Sequence, residues 1–395
     1  MFKTDYAPLA RPAILPDSDN RSGLPAFASV GDVLRAYEGD DAIFVLYPKK
    51  IAAAARTFLN GFPGKVLYAV KANPHPAVIK TLWTTGVRNF DVASTREVEL
   101  VQSIAPSAKL FFMHPVKSRA AIRHAYAAGV RDFSFDSAEE LQKMLEETGY
   151  ANDLCLHLRV ALPKGNAAMP LSGKFGADRE AAVDLLQATR PHAMQLGVTF
   201  HVGSQCLDVE DYDRALRYVR SVLGDADVAI DSVDCGGGFP VAYPGMKPAP
   251  MGDYFSAIRK ALDANGFAGL QVLGEPGRAL CAQGGSTLAR VEARKGRDLY
   301  LNDGSYGSLF DAAQCAWKFP VKLYRSAPRP DAGKADFRFF GPTCDSLDVM
   351  EGPFDLPADV QEGDWIEVCH LGAYGQALAS RFNGFYSETT VAVMA

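Results

Sequence analysis

The chain lacks any run of about 18 apolar residues, so no membrane-spanning helix is expected. It also lacks a basic excess. Its 41 Lys and Arg stand against 46 Asp and Glu, for a net charge of -5, which offers nucleic acid or an anionic membrane no electrostatic footing. The seven cysteines (Cys155, Cys206, Cys235, Cys281, Cys315, Cys344 and Cys369) are odd in number and never spaced as CxxC. That argues against a disulfide framework or a metal site and for a reducing, cytoplasmic setting. The first 20 residues, MFKTDYAPLARPAILPDSDN, carry acids and prolines without a continuous apolar core, so a secretory signal is not expected. There is no GxGxxG, and hence no dinucleotide fingerprint.

What is present is ordinary for a globular protein, at 48% hydrophobic and 22% charged residues. A length of 395 residues exceeds what one core usually supports, so two domains are expected. Short apolar, β-rich runs occur at 66–71, 90–94, 110–114, 132–136, 154–160, 197–203, 232–237 and 270–276. Helical patterns such as SRAAIRHAYAAG, SAEELQKMLEETG and DVEDYDRALRYVRSVLG separate them, and SAEE resembles a capping box. Eight such strands point to an α/β fold, a closed parallel (β/α)₈ TIM barrel, rather than an open doubly wound sheet. After about residue 280, β-rich segments alternate with Gly, Pro and Asp turns. The expected division is a barrel over 36–280 and a C-terminal all-β domain over 281–395, joined by residues 1–35.

Barrel active sites lie at the carboxyl ends of the strands, and polar residues gather there. Each has a plain structural reading. Lys71 follows the apolar VLYAV and would ordinarily extend to solvent; it can instead be a desolvated amine that bonds to a carbonyl carbon. Gly236–Gly238 are either a tight turn or a place where backbone N–H groups approach a phosphate. Arg278 is a surface ion pair or a phosphate fork. Glu275 is a cap or the partner of a pyridine nitrogen. His201 is a core histidine or stacks on a ring, and Asp91 with Arg159 is a salt bridge or part of a site. A set drawn from several separate strands is hard to explain structurally.

The segments YAVKAN (68–73), FDVAS (90–94), HVGS (201–204), DCGGGFP (234–240), GEPGR (274–278), YGS (306–308), GPTCDSLD (341–348) and GAY (372–374) resemble, in order, the barrel-type pyridoxal-phosphate-dependent decarboxylases of basic amino acids, above all eukaryotic-like ornithine decarboxylase. The resemblance implies pyridoxal 5'-phosphate as cofactor and a homodimer with shared active sites. It implies that Lys71 carries the cofactor, Glu275 faces the pyridine nitrogen and His201 stacks on the ring. Ser204, Gly237, Gly238, Arg278 and Tyr374 match phosphate contacts, and Asp91 and Arg159 match the charged pair beside the cofactor. Lys174, in SGKFG, is similar to a mobile-loop lysine. Cys344 and Asp345 are similar to the pair supplied by the opposite subunit, the cysteine reprotonating the α-carbon and the aspartate binding the distal ammonium. Tyr306 of YGS is placed with the substrate.

The implied activity is decarboxylation of ornithine to putrescine in polyamine biosynthesis. One departure bears on it. Family members often carry an aspartate nine residues after the YGS tyrosine, where this chain has Cys315, the nearest aspartate being Asp311. Lysine or dual lysine/ornithine activity is therefore the alternative. Asp345 counts against diaminopimelate decarboxylase, Glu275 against a racemase, and intact Lys71, Glu275 and Arg278 against a non-catalytic regulatory homologue.

Overall fold

The computed structural model describes residues 23–163, 173–325, 327, 329–330 and 332–395, which form two compact units. In chain order the first elements are β1 (Ala26–Phe27), α1 (Val30–Ala36), β2 (Ile43–Leu46) and α2 (Pro48–Gly61). Eight strands follow: β3 (Lys65–Ala69), β4 (Asn89–Asp91), β5 (Lys109–Phe112), β6 (Asp132–Phe135), β7 (Cys155–Arg159), β8 (Gln195–Thr199), β9 (Ser232–Asp234) and β10 (Gln271–Gly274). They close into a parallel barrel in sequence order, β10 returning to β3 through the pairs Leu273–Lys65 and Gly274–Val66. The eight expected strands are all present. Each stops one to four residues before the end of the apolar run that announced it, because the runs continue into the loops that carry the polar motifs.

Helices alternate with these strands as the periodicity requires. Ser118 caps α3 (Arg119–Ala127) and Ser137 caps α4 (Ala138–Glu147), each accepting an N–H three residues on. Only half of the capping box in SAEE forms. Glu140 turns away to the buried Lys117, 3.0 Å from its Nζ, and also accepts the Lys117 N–H. Inside the barrel, Leu67, Phe111, Met113 and Leu273 make an apolar cluster.

The second unit is a nine-stranded sheet. After the barrel come β11 (Gly285–Lys295), β12 (Asp298–Leu301), β13 (Val321–Tyr324), β14 (Lys334–Phe340), β15 (Val349–Pro357), β16 (Trp365–Cys369) and β17 (Thr390–Val393). The long β11 pairs with β2 and β16 over its first half and with β12 over its second. The core here includes Phe27, Val30, Val33, Ile43, Val45, Leu288, Val391 and Val393. Two features shift the division from the one expected at residue 36. Residues 23–49 group with the sheet because β2 is a strand of it, pairing with β11 and β17. Residues Gly372–Ala377 return to the barrel unit, tied by Asn73 Nδ2 to the Gly372 carbonyl at 2.8 Å and by the Tyr374 N–H to the Ala72 carbonyl at 2.9 Å. Residues 1–22, also expected in the sheet domain, lie outside the described residues. Among the described residues no helix is long and apolar enough to cross a membrane.

Candidate active site

Lys71 follows β3 in a single turn of 3-10 helix, Val70–Ala72; its two neighbours are buried while its own side chain opens into the barrel mouth. Enclosure by the barrel wall lowers the basicity of the amine, but Asp91, Tyr374 and Glu275 outweigh it, so its pKa lies above the usual lysine value. Asp91 ends β4 and is 5% exposed. Burial, and then Glu275, push its carboxyl up to about 7, against the opposing pull of Lys71. Glu275 follows β10, its N–H donating to the Gly236 carbonyl at 2.8 Å. Burial, and then Asp234, hold its carboxyl well above the ordinary range. Arg159, at the end of β7, acts on Lys71, Asp91, Glu275 and His201 alike. The charged residues from four strands therefore share one electrostatic site.

His201 follows β8. Burial, then Arg159 and Lys71, hold it well below its usual pKa, so the ring is neutral near pH 7. Its Nδ1 accepts the Gly203 N–H at 2.9 Å, which places the ring proton on Nε2 and leaves a flat uncharged face. Ser204, half-buried, ends this turn.

The triple-glycine turn after β9 admits nothing larger than hydrogen. A Cβ at Gly236 (φ 65°) would lie 2.1 Å from the Phe200 carbonyl oxygen, and one at Gly237 would lie 2.8 Å from the Glu275 carbonyl oxygen and 3.1 Å from His201 Nε2. The turn's carbonyls are already used, by Glu275 N–H, the Tyr212 hydroxyl and Cys206 N–H. Among the described residues the N–H groups of Gly237 and Gly238 have no acceptor. Beside the same barrel mouth, Arg278 is buried, donates to the Tyr243 hydroxyl at 3.0 Å and sits 4.9 Å from the Tyr374 ring centroid. Amide donors without acceptors, a guanidinium and a cradle that excludes side chains make an anion site. Lys174 is exposed, with Nζ 4.9 Å from the Phe175 ring, and Arg159 lies 5.9 Å from that ring.

Cys344, Asp345 and Tyr306 belong to the sheet unit. The loop after β14 leaves Cys344 exposed, its Sγ accepting from Asn383 Nδ2 at 3.3 Å. Asp345 accepts the Leu347 N–H at 2.9 Å and the Tyr306 hydroxyl at 2.8 Å, and these bonds hold its carboxyl below the usual range. Tyr306 in turn packs 4.7 Å from the Phe382 ring. At the position of the departure, Cys315 follows the short helix α5 (Phe310–Gln314) and its thiol donates to the buried Asp311 at 3.1 Å.

Two carboxylates in the quoted motifs were passed over in reading them. Asp234, the first residue of DCGGG, is fully buried beside Glu275. Asp348, the last of GPTCDSLD, is 2% exposed and accepts from the N–H and hydroxyl of Ser305 (2.7 and 2.9 Å) and of Thr343 (3.1 and 2.7 Å). A Cβ at Gly304 or Gly341 would strike it at 2.2 Å. Neither carries a signal in the sequence, because their partners lie on other elements and are reached through strand register and loop closure. Asp348→Ala is expected to cost about 2–5 kcal/mol, because buried donors lose their acceptor, and Asp348→Asn less; chemical denaturation of the two variants measures it.

A family model described as "Pyridoxal-dependent decarboxylase, pyridoxal binding domain" matches residues 48–282. The chain is 33% identical over 337 residues to the lysine/ornithine decarboxylase of Selenomonas ruminantium, covering 82% of each. It is 33% identical over 357 residues to the ornithine decarboxylase of Mus musculus, covering 83% of this chain and 75% of that one. The chain belongs to the pyridoxal-dependent decarboxylases. A solved structure, the arginine decarboxylase of Paramecium bursaria Chlorella virus, superposes with a TM-score of 0.82 at 27% identity, covering 92% of this decarboxylase and 99% of the viral chain. This decarboxylase is a carboxy-lyase of the barrel-type group that acts on basic amino acids, and its cofactor is pyridoxal phosphate. The residues fit that cofactor: the glycine cradle with Arg278 suits its phosphate, Lys71 its aldehyde, the neutral face of His201 its ring and Glu275 the ring nitrogen.

Proposed function

We propose that this decarboxylase converts L-ornithine to putrescine and carbon dioxide, in polyamine biosynthesis, as a cytoplasmic homodimer. In this reading the 341–348 loop of one subunit completes the barrel site of the other. The observation that carries the substrate assignment is Asp345: an ionised carboxylate fixed by two hydrogen bonds directly after the exposed Cys344. The exposed apolar side chains beside that loop, Leu347 at 70% and Phe382 at 42%, support a surface that a second subunit covers.

Bound pyridoxal phosphate supplies an electron sink for the pair released when carbon dioxide leaves the α-carbon. The chain's residues do the rest. Lys71 is the amine that would bond to the cofactor aldehyde, and Asp91 stabilises its charge beforehand. Gly237, Gly238, Ser204, Arg278 and Tyr374 hold the phosphate and so fix the ring against His201. Glu275 faces the ring nitrogen and stabilises its positive charge. Asp345 pairs with the distal ammonium, which rejects neutral side chains because they would leave that carboxylate unpaired. The thiol of Cys344 gives its proton to the α-carbon.

Assayed for carbon dioxide with added cofactor, ornithine is expected to give the highest kcat/KM among ornithine, lysine, arginine and diaminopimelate. Asp345→Asn should lower it on the order of 10²-fold or more without loss of bound cofactor. Cys344→Ala should also keep the cofactor while slowing turnover roughly 10²-fold or more; normal turnover would remove Cys344 from its role. Lysine is the second reading, favoured by Cys315 standing where a second carboxylate would complete the ornithine clamp.

A further inference from the structure

Beneath Glu275 lies a second carboxyl group that the reaction as described does not use. Asp234 ends β9, paired in register with Leu273 of β10 and Thr199 of β8, and none of its surface is exposed. Its Oδ1 accepts the Gly236 N–H at 2.8 Å, anchoring the glycine turn. Its Oδ2 is buried and no N–H or hydroxyl donor among the described residues reaches it. The group it meets is instead the Glu275 carboxyl, brought beside it by the pairing of β9 with β10. Two carboxylates cannot hydrogen-bond to each other, and two adjacent negative charges in a dry site repel strongly. The contact therefore requires a proton between them.

We propose that Asp234 and Glu275 share one proton, and that Asp234 is the positioning residue that keeps a single negative charge facing the cofactor's ring nitrogen. This rests on the reading of Glu275 given above. In the cofactor-free site the proton is on Glu275, the group whose burial raises it further; Asp234 is pushed up only to about 6. When a cationic ring nitrogen takes its place, the O–H bond on Glu275 breaks and one forms at Asp234 Oδ2. Glu275 is then an anion that accepts from the ring, while Asp234 donates to its other oxygen. No proton enters or leaves the pair, so its charge of minus one matches the ring's plus one.

The groups facing the pair are Lys71 after β3, Asp91 on β4, Arg159 on β7, His201 after β8 and Cys235 beside Asp234. Lys71 stays cationic and His201 stays neutral through the neutral range, which leaves Asp91, at about 7, as the other titrating group. The pair titrates as a unit. Above about pH 6 it holds one proton and one charge; below about 6 the second proton binds and the charge is lost. Affinity for pyridoxal phosphate should therefore fall as the pH drops through about 6.

Two measurements on the full chain test this. The first is the infrared spectrum of the holoenzyme near neutral pH, wild type minus variant. Asp234→Asn and Glu275→Gln should each, alone, remove the same protonated-carboxyl band, because one proton serves both groups. The second is the pH dependence of pyridoxal phosphate dissociation, read by cofactor absorbance. In Asp234→Asn the amide donates permanently to Glu275, and its acid limb should move down by about one pH unit or more. A band unchanged in both variants refutes the shared proton, whatever Glu275 does. A band lost with an unmoved acid limb refutes the positioning role and the placing of Glu275 at the ring nitrogen. If Asp234→Asn does not fold, Glu275→Gln decides the first measurement by itself.

Discussion

Lys71→Ala is expected to abolish carbon dioxide release, by on the order of 10⁴-fold or more, and to remove the visible absorbance of the covalently held cofactor. The fold should survive. Lys71 opens into the barrel mouth rather than packing in the core, and its neighbours Val70 and Ala72 carry the buried contacts of that turn. Its removal leaves Arg159 as the cation beside Asp91 and Glu275, and Asp91, whose carboxyl already lies above its ordinary range, can take up a proton instead of remaining a buried charge. Lys71→Arg separates charge from chemistry: it keeps the cation yet has no amine to bond the aldehyde, so it should fold at least as well as the alanine variant and be equally inactive. Thermal unfolding, cofactor absorbance and single-turnover assays of the two variants read all of this together.

Glu275→Gln should show stability and activity moving apart. The amide of this variant donates to the buried Asp234 Oδ2 as the protonated Glu275 carboxyl does, so unfolding is expected at about the same temperature. Turnover should nevertheless fall about 10²–10³-fold, equivalent to roughly 3–4 kcal/mol of transition-state stabilisation, since the ring nitrogen loses its anionic partner. The loss should appear in kcat rather than KM, because the charge at the ring matters most when electrons enter it. A variant that lost stability and activity together would make Glu275 a structural group.

How much of this was legible in the sequence depends on what each residue answers to. The barrel strands were visible because both of their faces are covered, which writes them as short continuous apolar runs such as LFFMH. Strand β15 is poorly marked in the sequence because GPF reads as a turn; only the buried alternation of Phe354 and Leu356 marks it as a strand. The site residues on strand ends were legible individually, since Lys71, Asp91, Arg159 and Glu275 are polar residues following apolar ones. Asp234 and Asp348 were not, because their work is done on neighbours brought close by register and loop closure. Asp234 meets Glu275 only once β9 lies beside β10, and Asp348 meets Ser305 across 43 positions of chain. Likewise Glu140 left its capping box for Lys117, a partner 23 residues away that helical spacing cannot reveal. The sheet affiliation of residues 41–47 follows the same rule: they are a plain apolar run, but the partners of strand β2, β11 and β17, lie far along the chain.

The central claim is that one amine, Lys71, is covalently joined to pyridoxal phosphate. Borohydride reduction of the holoenzyme followed by proteolysis and mass mapping tests it directly. The account predicts a single phosphopyridoxyl group, on the peptide containing YAVKAN and at Lys71. The same group found on Lys117, Lys174 or any other lysine, with Lys71 unmodified, would contradict it.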